Sequence, residues 1–126
     1  MNVKIDTKEK FTVITPKDAH LPAIMTDEFN QMLHSYLQKD IPHIIFNLNE
    51  VKSIDLPIAK TIAKNQQQFY EKHCSFVICN LHKDVEIVFK NSNLLENMNV
   101  TPSESEAWDI VQMEEIEREL LGDEDL

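Results

Sequence analysis

The chain has 126 residues, of which 42% are apolar, and a net charge of −10. That size suits one domain that buries roughly 70% of its unfolded surface, with no need of a disulfide or metal staple. The acidity works against a phosphate backbone as partner, and no apolar stretch approaches the roughly 20 residues needed to span a bilayer. The N-terminus is interrupted by Lys4, Asp6, Lys8, Glu9 and Lys10, so it lacks a signal-peptide core and the expected location is cytoplasmic. The charge is unevenly placed. From Ser103 onward one basic residue, Arg118, faces ten acidic ones, whereas the preceding body carries 11 basic and 12 acidic residues. The only glycine is Gly122, which excludes Gly-rich phosphate loops and the cofactors they bind.

In chain order, Val3–Asp6 and Phe11–Thr15 read as a hairpin stopped by Pro16. Residues 17–23, with Pro22, read as a loop. A helix follows, with Met25, Phe29, Met32, Leu33, Tyr36 and Leu37 on one face, and ends before Pro42. Ile44–Asn49 is a strand and Ser53–Asp55 a turn. Leu56-Pro57 then feeds a helix with Ile58, Ile62 and Phe69 inward. Such a helix start ordinarily exposes backbone N–H groups and the positive end of a dipole. Ser75–Asn80 is a strand and Lys83–Asn91 a helix, after which Asn93 takes the left-handed position that glycine usually fills. Met98–Thr101 is long enough for a last strand. The final helix starts at Ser103, a capping residue with Glu106 three positions on. Its apolar residues form two faces: Ala107, Ile110 and Val111, then Met113, Ile116, Leu120 and Leu121. A helix that docks for two turns, overhangs the sheet and loses order near Gly122 fits that pattern. Residues 1–112 are thus expected as the domain, and 113–126 as an acidic extension, helical and then disordered.

Several residues invite chemistry. His73, Cys74, Cys79 and His82 are close in sequence, but their spacing matches no common zinc pattern, and Cys79 sits inside an apolar strand. No metal is expected. Cys74 as a nucleophile needs a base and cationic surroundings, for which His73 is the only neighbour in view. Asp55 is either a general base, with Asp18 as a conceivable partner, or simply the cap of the helix that follows it. Lys52, Lys60 and Lys64 form either a solvated face or a docking patch for an acidic partner. The run from Glu114 to Glu117 reads as a solubilising face.

The order of elements and several local strings resemble the STAS domain, the fold of bacterial anti-sigma factor antagonists. Ile44–Asp55 (IIFNLNEVKSID) is similar to the family's central strand and turn, Asn93–Val100 to its next conserved run, and Ser103–Ala107 to its last-helix start. The resemblance covers about residues 3–112. It implies an α/β single-domain fold, with a mixed, mostly parallel sheet of four to five strands and about four helices. It also implies a regulatory protein partner, such as an anti-sigma factor or a related kinase. No enzymatic activity is expected, because no triad spacing, metal motif or phosphate loop appears in the sequence. After the aspartate the family places a serine that a kinase phosphorylates. This chain has Leu56, then Pro57 and Ile58, so that switch has no hydroxyl to act on. Ala19 and Pro22 stand in the loop where the family often has Gly and Asp. The implied contact residues are Ser53, Asp55, Leu56, Pro57, Lys60 and Thr61, with Ser53 and Thr61 as substitute phosphosites. Two other readings are a small enzyme using Asp55, His73 or Cys74, and a module self-associating through Met113, Ile116 and Leu120. A flat apolar patch around Leu56 favours docking, and a deep polar pocket favours catalysis.

Overall fold

The computed structural model describes residues 2–124. Strands β1 (Val3–Thr7) and β2 (Thr12–Pro16) form the expected antiparallel hairpin. Helix α1 (Thr26–Tyr36), strand β4 (Ile44–Asn47), helix α2 (Leu56–Glu71) and strand β6 (Phe76–Cys79) follow. Helix α3 (Lys83–Asn91), strand β7 (Val100–Thr101) and helix α4 (Glu104–Glu124) complete the chain. The five-stranded sheet has the order β1-β2-β4-β6-β7, and every pair except β1–β2 is parallel.

Two elements correct the sequence expectations. The loop over 17–23 contains a two-residue strand, β3 (His20–Leu21), and the turn over 53–55 contains another, β5 (Ser53–Ile54). They pair in parallel as a small second sheet, with His20 opposite Ser53 and Leu21 opposite Ile54. A 3-10 turn, Ala23–Met25, links β3 to α1.

Layering follows from the two-residue period of the strands. β4 and β6 are buried along their whole length, as parallel strands covered on both faces must be. Ile44, Phe46, Phe76 and Ile78 point toward α1, α2 and α3, where they meet Phe29, Leu33, Ile58, Ile62, Phe69, Val85 and Phe89. Ile45, Val77 and Cys79 point the other way and, with Phe11 and Val13, meet Ala107 and Val111 of α4. Gln66 is a polar residue on the inner face of α2. Its amide donates to the carbonyls of Phe76 (2.8 Å) and Asn99 (3.1 Å) and accepts from the Asn99 N–H (3.0 Å), tying α2 to β6 and to the residue that leads into β7.

α4 departs most from expectation. The Ser103 hydroxyl accepts from the Glu106 N–H at 3.3 Å, but the Glu106 carboxylate takes the Ser103 hydroxyl rather than its backbone N–H, so only half of the capping box forms. The helix does not overhang after two turns. It stays tied to the body by Glu115 to Lys10 (3.3 Å) and by Arg118 to Ser75 (3.0 Å). It crosses residue 112 without a break and is helical to Glu124, and the last two residues, on which the expected loss of order also falls, lie outside the described residues.

His43 sits under that tether. Its Nδ1 accepts the Ser75 N–H at 3.0 Å, and its Nε2 lies 3.4 Å from the Arg118 guanidinium. Accepting at Nδ1 requires a neutral ring. Burial holds its pKa below 6.5, Arg118 lowers it further, and Glu115 opposes them. In the native state the ring therefore binds fewer protons than in the unfolded chain, where the value is about 6.5. Its stabilising contribution is complete above that pH and is lost as pH falls toward the depressed native value. Comparing wild type with His43→Gln by urea melts from pH 7.5 down to 5 should show the wild type losing the larger share of its stability. Parallel losses would show that His43 does not report on folding.

Candidate functional site

The start of α2 is where the small sheet, the 3-10 turn and the main sheet converge. Asp55 is the capping residue of α2 by position, with extended backbone, yet its side chain makes no bond to that helix. Its Oδ2 accepts the N–H of Ala23 at 2.8 Å instead, while Oδ1 lies 3.5 Å from Nε2 of His20. The other ring nitrogen, Nδ1, is 2.7 Å from the Ser53 hydroxyl. One carboxylate thus fastens the turn before α1 to the turn before α2, and the β3–β5 ladder, with Asp55 N–H on the Leu21 carbonyl (2.9 Å), keeps the two in register.

The helix start is not an anion cradle. Pro57 has no N–H, and the N–H groups of Ile58 and Ala59 both reach the Asp55 carbonyl (3.0 and 3.3 Å). What it presents is side-chain carbon. Leu56 is 42% exposed, Pro57 is exposed beside it, and Ile24, on the turn that Asp55 fastens, is 90% exposed. Lys60 stands exposed one turn further along α2, and Thr61 is half-buried. The cavities lie elsewhere. One of about 360 Å³ runs along the side of α2 past Lys60, Lys64 and Tyr70 toward Asn99.

The structure brings His20, Ser53, Asp55, Leu56 and Pro57 together with Ala23 and Ile24. Sequence reasoning missed His20 and Ile24. Asp18 does not join Asp55; it accepts the Asn2 N–H at 3.1 Å. The His/Cys set is split between the two ends of β6. His73 and Cys74 precede the strand, and Cys79 and His82 lie at or beyond its far end, across roughly 13 Å of strand. No metal-holding cluster occurs among the described residues. Nor do Asp55, His73 and Cys74 meet, because Asp55 lies at the opposite end of the sheet from the other two. Burial raises the Cys74 thiol above its usual range, against Arg118 and Lys72, and pushes Cys79 up to about 12 with help from Glu104. Both are poor thiolates at neutral pH.

Fold and surface together define a small α/β module whose second helix starts with the exposed apolar pair Leu56 and Pro57. The profile of the STAS domain matches residues 2–107. The chain belongs to the STAS domain family. Solved structures share the fold at low identity. A protein of Thermotoga maritima assigned as an anti-sigma factor antagonist is 20% identical, with a TM-score of 0.78 over 87% of this chain and 94% of that one. The anti-sigma factor antagonist SpoIIAA in its unphosphorylated form is 18% identical, at 0.70 over 88% and 96%. A serine-to-glutamate variant of Moorella thermoacetica RsbS is 13% identical, at 0.72 over 89% and 96%. No curated protein matches the sequence. No helix among the described residues is long and apolar enough to cross a membrane.

Proposed function

We propose that this chain is a regulatory docking module that binds a protein partner through the start of α2, without a phosphorylation switch at that point. The observation that carries this reading is the exposed, hydroxyl-free Leu56–Pro57 pair beside the almost fully exposed Ile24. Apolar side chains on a backbone held by Asp55 lose little freedom when covered, which favours protein contact over small-molecule capture. SpoIIAA is known in phosphorylated and unphosphorylated forms. A phosphate brings nearly two negative charges and breaks an apolar contact by repulsion and desolvation. Here neither Leu56 nor Pro57 accepts one, so the partner, an anti-sigma factor or a related kinase by family resemblance, is held constitutively. The substitute hydroxyls are poorly placed: Ser53 is bonded to His20, and Thr61 is half-buried on α2.

The test is a pull-down from the native cell extract with wild type and Leu56→Asp side by side. Loss of the partner from the variant, with an unchanged melting temperature, is the expected result. Equal recovery overturns docking at this helix start. A Leu56→Ser variant that takes up phosphate from the same extract, where wild type takes none, would show that only the hydroxyl is missing.

A further inference from the structure

α4 carries apolar residues on two opposite sides. Ala107 and Val111 are buried against the sheet, and the next turns continue that side with Glu114, Glu115 and Arg118, which bond to Asn99, Lys10 and Ser75. At 3.6 residues per turn, Met113, Ile116 and Leu120 fall half a revolution away, in one outward row. Each is more than half exposed (55%, 57% and 62%). The row spans about 10 Å, two helical turns, and is bordered by exposed Glu117 on one side and Glu119 on the other. The one cation of this part of the helix, Arg118, is turned inward to Ser75 and His43.

We infer that this row is a second interaction face, and that its occupant is a lysine- or arginine-flanked amphipathic helix of another protein. Three outward apolar residues at steps of three and four are the pattern that a facing helix reads. The charge decides whose helix it is. The self-association expected from sequence would bring together two chains of net charge −10, with Glu117 and Glu119 of one row set against those of the other. A cationic helix meets the same borders with opposite sign. The face lies on the other side of the sheet from α1–α3 and Leu56, so the two surfaces can be occupied at once.

The experiment uses the full chain and two labelled helical peptides that share one leucine row, flanked by lysine in the first and glutamate in the second. Fluorescence anisotropy should show binding of the lysine peptide, weakened by added salt, and no binding of the glutamate peptide. Ile116→Asp should weaken the lysine peptide at least about tenfold. That substitution adds a negative charge, so mere attraction between opposite charges would strengthen binding; unchanged or tighter binding overturns the inference. So does equal binding of both peptides. A chain that sediments as a dimer and is split by Ile116→Asp assigns the row to a second copy and overturns it as well. Leu56→Asp should leave peptide binding unchanged, and a loss there would place the peptide on the wrong face.

Discussion

Alanine at position 46 should cost the fold about 3–5 kcal/mol, measured as the shift in a urea or guanidinium midpoint at constant slope. Phe46 is fully buried on the middle strand of the sheet. Its ring packs edge-to-face against Phe29 of α1 (6.0 Å) and Phe76 of β6 (6.1 Å), and Phe76 in turn meets Phe69 of α2 at 5.1 Å. Removing the ring loses its transfer free energy and the edge-to-face terms, and leaves a cavity bounded by three elements that cannot all move inward. For a domain of this size the melting temperature should fall by about 10–20 °C. Phe46→Leu keeps most of the volume and should cost far less. A loss below about 2 kcal/mol for alanine would show that the four rings do not act as one packed unit.

Aspartate at Ile24 should reduce partner binding at least about 30-fold while leaving stability within about 0.5 kcal/mol. The separation of the two effects is the point. Ile24 is 90% exposed, so folding gains almost nothing from it, whereas a partner docked over Leu56 as proposed would also reach the turn that Asp55 fastens. A buried charge without a counter-ion in that contact is costly. Ile5→Asp, an equally drastic change at an exposed position on the edge strand β1, serves as control and should leave binding intact. Asp55→Ala tests the clamp itself. Losing a charge-assisted bond to the Ala23 N–H should cost about 1–3 kcal/mol, with a binding loss smaller than that of Ile24→Asp. If Ile24→Asp behaves like Ile5→Asp, the turn lies outside the docking surface.

Most of the framework could be read from local pattern. β4 and β6 announce themselves as apolar runs of strand length, and α3 has the bounds its apolar spacing and Asn93 imply. β3 and β5 could not be found that way, because two residues carry no period; His20 and Ser53 are strand residues only through each other. Asp55 looks like an ordinary cap because its true partner, the Ala23 N–H, is 32 positions distant. Gln66 did leave a signal: it lies on the row of Ile58, Ile62 and Phe69, where a polar residue must find partners. α4 misled because its apolar residues were assigned to docking and overhang in succession, whereas the polar Glu115 and Arg118 hold its fourth and fifth turns.

His73, Asn80 and Asn93 all bend left-handed, at φ of 60°, 59° and 58°, with no glycine at any of them. Asparagine tolerates that geometry better than imidazole does. Side chains at such corners narrow the set of shapes open to the denatured chain, so less disorder is surrendered on closing than with glycine in the same places. At these corners, however, the strain of the left-handed region outweighs that saving, so each is a small cost that the packed core on either side of the sheet must cover.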